Sequence, residues 1–389
     1  VLEQVYVTGV GMTKFGTLDQ SITELAKSAA VEAIQDSNAL DAKFDFVVVG
    51  SQNPDEFTGV GHLSTLMADR LGLVPAGASR VETGPSAGSS AFEEAVALVK
   101  SGLAELVLVV GVEKMSSIDR GAASKIIAKM ISIESEARLG GTPAALAAIV
   151  ARRYMHDYGL SRDELSLIPV KAHKNAVKNP LAQFQNETSV EKVNTARMVA
   201  GPLTLYDCSP TSDGAASVVV SSLKAAKALG RIDDSVKVLG VGHATDYHAI
   251  QHRLSLTSLG ATVSAAKKAF KMTRVKPEDI DVCELHDAFS ILELIDMEDV
   301  GLAKPGHAIE AVTEGETEVN GRIPVNTTGG LKARGHPTGA TGVAQIRDIV
   351  LQLRGMAPIG LQVKDPEFGL THNIGGFGNN IVVSIFGRS

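Results

Sequence analysis

Apolar residues fall into two kinds of run along this chain. Short continuous stretches at Val5–Val10, Phe46–Val49, Leu106–Val110, Val236–Val241, Asp281–Leu285 and Ile381–Ile385 read as strands. Unbroken apolar runs of this length suit strands covered on both faces. Between them, apolar residues recur every three or four positions. Ile22, Leu25, Ala26, Ala29 and Ala33 follow the capping-box pattern Ser21-Ile-Thr-Glu24 and predict a helix. Phe92, Ala95, Val96 and Val99 predict a second, Val263, Ala266 and Phe270 a third, and Val343, Ile346, Val350 and Leu353 a fourth.

The order of these elements repeats. In each half a Gly-rich turn opens a long amphipathic helix: Gly84-Pro85-Ser86 in the first, His336-Pro337-Thr338 in the second. Two copies of a βαβ-rich unit predict a duplicated α/β core, with two sheets and helices around them. The halves are expected at 1–235 and 236–389. A polar, partly helical insert spans roughly 116–205, and inserts of that length usually form lids or binding loops.

With 389 residues, 44% of them hydrophobic, the chain can bury a large core. A net charge of −7 argues against a nucleic-acid binder, which needs a basic face. No apolar run reaches the ~18 residues of a spanning helix, and the N-terminal run reads as a strand and not as a signal core. Two cysteines, Cys208 and Cys283, are too few for a disulfide scaffold or a cysteine-rich zinc site. The ten histidines lack the His-Glu-x-x-His spacing, so no metal is expected. The cytoplasm is the expected location. Both cysteines read as small buried hydrophobes.

Four segments could carry chemistry. His286-Asp-Ala-Phe289 ends a buried strand, the position where open α/β sheets bind ligands; otherwise His286 is a loop histidine. Gly335-His336-Pro337-Thr338-Gly339 precedes a helix, whose free N–H groups could face a ligand; there His336 could polarise a thioester or take a proton. His372-Asn373-Ile-Gly-Gly376-Phe-Gly378 reads as a turn packed close to something, or as a plain loop before the last strand. Ser86 reads first as a helix N-cap and second as a nucleophile in a strand-to-helix elbow. Tyr247 and His248 are extra acid/base candidates, more simply read as loop residues.

Together with Val109-Val-Gly-Val-Glu-Lys-Met115, Tyr206-Asp-Cys-Ser-Pro-Thr-Ser-Asp-Gly-Ala-Ala216 and Asn326-Thr-Thr-Gly-Gly-Leu-Lys-Ala-Arg-Gly-His336, these segments resemble the thiolase superfamily over essentially the whole chain. The archaeal-type and sterol-carrier-protein-type thiolases are the nearest in pattern. The resemblance implies the duplicated, five-layered αβαβα thiolase fold, with the insert forming a loop domain that helps build the coenzyme A site. It implies acyl-CoA as substrate with no covalently bound cofactor, and a homodimer or dimer of dimers. A small OB-fold and zinc-ribbon partner protein accompanies many archaeal-type relatives. It assigns His336 to activating the nucleophile and holding the thioester oxygen, and His286 to an oxyanion hole. Asn373 falls where many thiolases place an acid/base cysteine, and Ala288 where the sterol-carrier type places it. Pro85, His372 and Gly376 are expected against the substrate.

One position departs from the pattern. The family's Glu-x-x-Cys-x-Ser-Gly reads here Glu82-Thr-Gly-Pro85-Ser-Ala-Gly88. Proline offers neither a side-chain nucleophile nor an N–H. Three readings follow: a thiolase-type acyltransferase in which Ser86 replaces the cysteine and needs His336 beside it; a nucleophile-free retro-aldol lyase acting on an acyl-CoA; or a non-catalytic CoA-binding subunit.

Overall fold

The computed structural model describes residues 3–389. Eleven strands are found among the described residues: β1 (Val5–Met12), β2 (Phe46–Gly50), β3 (Gly77–Val81), β4 (Leu106–Lys114), β5 (Met198–Ala200), β6 (Leu203–Thr204), β7 (Asp213–Ser222), β8 (Val236–Thr245), β9 (Val282–Glu284), β10 (Phe368–Gly375) and β11 (Asn380–Arg388). Nine join in the order β3-β2-β4-β7-β1-β8-β11-β10-β9, and β5 and β6 form a separate ribbon. The two expected sheets are thus present as two halves of one. A ladder of only two pairs, Tyr6 with Lys237 and Val7 with Val236, joins β1 to β8.

Three strands of the large sheet, and the short ribbon of β5 and β6, escaped the hydrophobic pattern. β7 begins Asp-Gly-Ala-Ala-Ser, small residues with little apolar signal, yet all ten of its residues are buried between β4 and β1. β10 carries Thr371, His372 and Asn373, and pairs with β9 and β11. The reading of His372–Gly375 as a turn or loop is therefore corrected: these residues lie in a buried strand, because their polar side chains find partners within the core. β3 is an edge strand, half-exposed.

The duplication shows most clearly in a Gly-x-Gly pair in each half. A Cβ on Gly9 or Gly11 would lie 2.2 or 2.3 Å from a backbone oxygen of the helix Ile22–Asp36. A Cβ on Gly240 or Gly242 would lie 2.3 or 2.0 Å from the helix Gly260–Lys271. Both approaches allow only glycine.

The helices Ala87–Lys100 and Thr338–Leu353 pack against each other on the face of the sheet opposite the helix Ile22–Asp36. They meet at their first turns. A Cβ on Gly88 would stand 2.6 Å from the Gly339 carbonyl oxygen, and one on Gly339 2.5 Å from that of Val112. This contact brings the residues just before the two helices, Pro85 and His336, to one cavity.

The insert is more than a lid. Its helix Pro143–Tyr158 buries Leu146, Ala147, Val150 and Tyr154 in the same core as the second half of the chain. The Tyr154 hydroxyl donates to the buried Glu298 carboxylate. Among the described residues no helix is long and apolar enough to cross a membrane.

Candidate active site

His286 follows β9, and His336 precedes the helix Thr338–Leu353. Their rings meet edge to face, with centroids 4.9 Å apart and planes at 85°. Both histidines are buried.

The partners of each ring decide its protonation. The Thr341 hydroxyl donates to the Pro337 carbonyl at 3.0 Å, the bond open to a helical threonine. Having one proton, it must accept from His336 Nδ1, 2.7 Å away. Nδ1 of His336 therefore carries the hydrogen, and Nε2 presents a lone pair. The main chain here is held too: His336 N–H donates to Ser212 Oγ at 2.9 Å. At His286 the polarity is opposite. Asn373 Nδ2 donates to its Nδ1 at 2.8 Å, so Nε2 carries the hydrogen. Among the described residues neither Nε2 has a hydrogen-bond partner. The pair offers one free acceptor and one free donor.

Both rings are neutral near physiological pH. Burial, partly offset by Asp287, holds His336 down to about 3. Burial first, then the neighbouring His336 and His372, holds His286 well below the usual imidazole range.

His336, Pro85, Ala288 and Phe289 line a cavity of about 330 Å³. Its other walls come from Met115, from the insert (Ile127, Met130, Pro143, Ala144, Val199) and from Cys208 to Thr211. The lining is mostly apolar, and the insert supplies a large part of it. Cys208, read from the sequence as a buried hydrophobe, in fact lines this cavity, but burial pushes its thiol up to about 12. Cys283 is fully buried in β9, and burial pushes its thiol up as well.

Ser86 does not stand beside His336. Its hydroxyl lies 2.9 Å from both the carbonyl oxygen and the hydroxyl of Thr83, and it accepts from Asn380 Nδ2 at 3.1 Å. Asn380 Oδ1 in turn meets His243 Nε2, whose other nitrogen is 2.5 Å from Glu93. The Glu93 bond leads the influences that raise His243 above its usual range. Ser86 occupies the N-cap position but makes no side-chain capping bond. The N-cap reading thus holds by position alone, and the nucleophile reading lacks its base, for one cause: the turn directs the hydroxyl back to Thr83 and into the β11 side of the core.

The free helix N-terminus expected after His336 is also absent. Glu113, at the end of β4, accepts from Gly339 N–H and Thr338 Oγ1, both at 3.2 Å, and from Gln52 N–H at 2.6 Å. Burial nevertheless raises Glu113 to about 7. Sequence reasoning passed over it, although it lies inside the quoted Val109–Met115 segment.

His372 is expected at the substrate but lies fully buried behind Asn373. Its Nε2 is 2.9 Å from Thr262 Oγ1, and its Nδ1 is 3.2 Å from Asp296 but misaligned for a hydrogen bond. It is corrected to a core position, since the alternation of β10 turns it to the side opposite Asn373, toward Thr262 and Asp296. Gly376 and His248 line a different, open chamber. His248 Nδ1 accepts from Asn379 Nδ2 at 2.9 Å, and Tyr247 is 60% exposed, so neither joins the histidine pair.

Comparison with known proteins matches both halves. The family description "Thiolase, N-terminal domain" covers residues 5–224, and "Thiolase C-terminal domain-like" covers 242–388. The acetyl-CoA acetyltransferase of Methanothermobacter thermautotrophicus is 42% identical over 388 residues, covering all of both chains. The benzoylsuccinyl-CoA thiolase subunit BbsB of Thauera aromatica is 34% identical, covering 96% of this chain and 95% of its own. Among solved structures, an Ltp2-ChsH2(DUF35) aldolase superposes with TM-score 0.86 at 27% identity, covering 100% of this chain and 99% of that one. An acetyl-CoA acetyltransferase from Syntrophomonas wolfei superposes with TM-score 0.78 at 20% identity over the whole of both chains. With matched domains across both halves and full-length relatives above 30% identity, the chain belongs to the thiolase family.

Proposed function

We propose that this protein makes or breaks a carbon–carbon bond in a CoA thioester, the work of a thiolase-type acyl-CoA C-acyltransferase. The observation that carries it is the histidine pair, whose free nitrogens are of opposite polarity. Carbon–carbon chemistry next to a thioester needs a base and a donor to the thioester oxygen as it becomes an enolate. His336 Nε2 suits the first task and His286 Nε2–H the second. A base held near 3 binds protons weakly at rest, but an enolate forming beside it favours the imidazolium. The mostly apolar cavity suits an acyl chain and the pantetheine arm. CoA enters as substrate, with no covalently held cofactor.

A second reading is favoured by Pro85 and by the partners of Ser86. With proline at 85, the Ser86 hydroxyl turned to Thr83 and Asn380, and the Cys208 thiol pushed up to about 12 by burial, a covalent acyl-enzyme lacks an activated nucleophile. A retro-aldol cleavage needs none. His336 takes the proton of a β-hydroxyl, the Cα–Cβ bond breaks, and its electron pair passes to Cα as the thioester enolate held by His286. Protonation at Cα then releases an acyl-CoA and an aldehyde or ketone. The likeness to a solved aldolase supports this reading.

The assembly belongs to the same proposal: a cytoplasmic homodimer or dimer of dimers, joined by a small OB-fold and zinc-ribbon protein. The name of the aldolase neighbour, which includes a DUF35 component, supports such a partner.

The test is incubation with acetoacetyl-CoA and CoA, followed by product analysis and intact-protein mass spectrometry, beside Ser86→Ala. Acetyl-CoA formed without a protein adduct, equally in both proteins, is the expected result for acyl transfer without Ser86. An adduct lost in Ser86→Ala would overturn this account of the site.

A further inference from the structure

The turn Gly84-Pro85 is a partition. Pro85 lines the cavity that holds His336, and Gly84 lines a second, open chamber of about 570 Å³. Met130 borders both. Without a nucleophile at position 85, the acyl group cannot be parked on the protein while one partner leaves and the next arrives. Both partners of the new bond must then be bound together, which calls for a second compartment bordering the first, as this chamber does at Gly84-Pro85 and Met130. We infer that this second chamber receives the non-CoA partner, and that this partner is a hydroxylated, uncharged aldehyde or ketone. The inference rests on the proposed enolate chemistry.

The chemical class follows from the lining. Gln52 is 4% exposed, and its Oε1 has no hydrogen-bond partner although buried. A buried acceptor left unpaired costs about 1–3 kcal/mol, so a donor arriving there is favoured. One Glu82 oxygen accepts from Gly84 N–H at 2.6 Å, and one Asp246 oxygen from Tyr247 N–H at 2.7 Å. Each carboxylate keeps a second oxygen without a protein partner among the described residues, as does Asn379 Oδ1. Donors are present as well: His248 Nε2–H, the Gln52 amide N–H groups, and the Lys129 N–H groups left beside its ion pair with Glu56. A wall of amides and two carboxylates, whose one lysine is neutralised by Glu56, binds hydroxyl groups, which both donate and accept, and repels an acidic ligand.

In the synthetic direction the step balances without a co-reactant. His336 takes a proton from Cα of the acyl-CoA, the enolate carbon bonds to the carbonyl carbon of the second partner, and the proton passes to the new alkoxide.

The test uses acetyl-CoA with glyceraldehyde or glyoxylate in heavy water. Addition product and deuterium exchange at Cα are both measured, in the parent, in Gln52→Leu and in the more exposed Asp246→Asn. The expected result is addition to glyceraldehyde about tenfold or more above glyoxylate. Each variant should lower the ratio of addition to exchange about tenfold, the worth of one hydrogen bond. A preference for glyoxylate, or a ratio unmoved by both variants, overturns the inference. Exchange without addition to either aldehyde overturns the chamber assignment and leaves the enolate chemistry standing. Absence of exchange in the parent removes both.

Discussion

Asn373 Nδ2 donates to His286 Nδ1 at 2.8 Å, and this one bond gives the His286 ring its polarity. An aspartate at 373 would accept from Nδ1–H instead, and Nε2 would become a bare lone pair aimed where a donor is needed. Asn373→Asp is therefore expected to lower kcat by about 10²–10³, the usual cost of one oxyanion donor. KM for the acyl-CoA should change little. Steady-state kinetics check it.

Thr341 plays the matching part at His336. Thr341→Val removes the acceptor for Nδ1–H and frees the ring to change tautomer. The expected loss in kcat is about tenfold, close to the net worth of a hydrogen bond, and Thr341→Ser should restore it. Nitrogen-15 spectra of labelled histidine should show His336 as the neutral Nδ1–H form at pH 6 in the parent and a mixture in Thr341→Val.

Pro85 borders the cavity of His336, whereas the Ser86 hydroxyl faces Thr83 and Asn380. Pro85→Cys puts a thiol on the wall that carries the neutral, basic His336 nitrogen. The variant should form an acyl adduct with acetoacetyl-CoA, seen by intact mass, and the parent should not.

Glu113 yields a prediction on stability. Its folded-state value is raised to about 7 from 4.5, chiefly by burial. The folded state thus holds a proton that the unfolded state has released between these values. Its contribution to stability is present below pH 4.5 and is lost as pH rises toward 7. Glu113→Gln cannot ionise. The melting temperature of Glu113→Gln relative to the parent should rise between pH 4.5 and 7 and level off above, as thermal unfolding at matched ionic strength will measure.

Strands β1, β2, β4, β8, β9 and β11 and the main helices were legible because their burial is written in apolar residues. β10 was not, since its buried polar side chains are satisfied by Thr262 on another helix and by His286 beyond another strand. β7 was hidden because small residues fill its first half. At the site, His286 and His336 were each readable as candidates from their motifs, but their contact comes from the fold and the polarity of each ring from Thr341 and Asn373. The direction of Ser86 depends on the backbone of a turn, which residue types alone leave open. Glu113 could have been found as an acidic residue ending an otherwise apolar strand, where a buried charge calls for partners.

The central claim is that His336 and His286 generate a thioester enolate without a covalent intermediate. Solvent-deuterium exchange into the Cα position of acetyl-CoA, with His336→Ala as control, tests it most directly. Exchange is expected in the parent, none above background in His336→Ala, and no protein adduct at any time. Exchange that persists in His336→Ala, or its absence from the folded, CoA-binding parent, would contradict it.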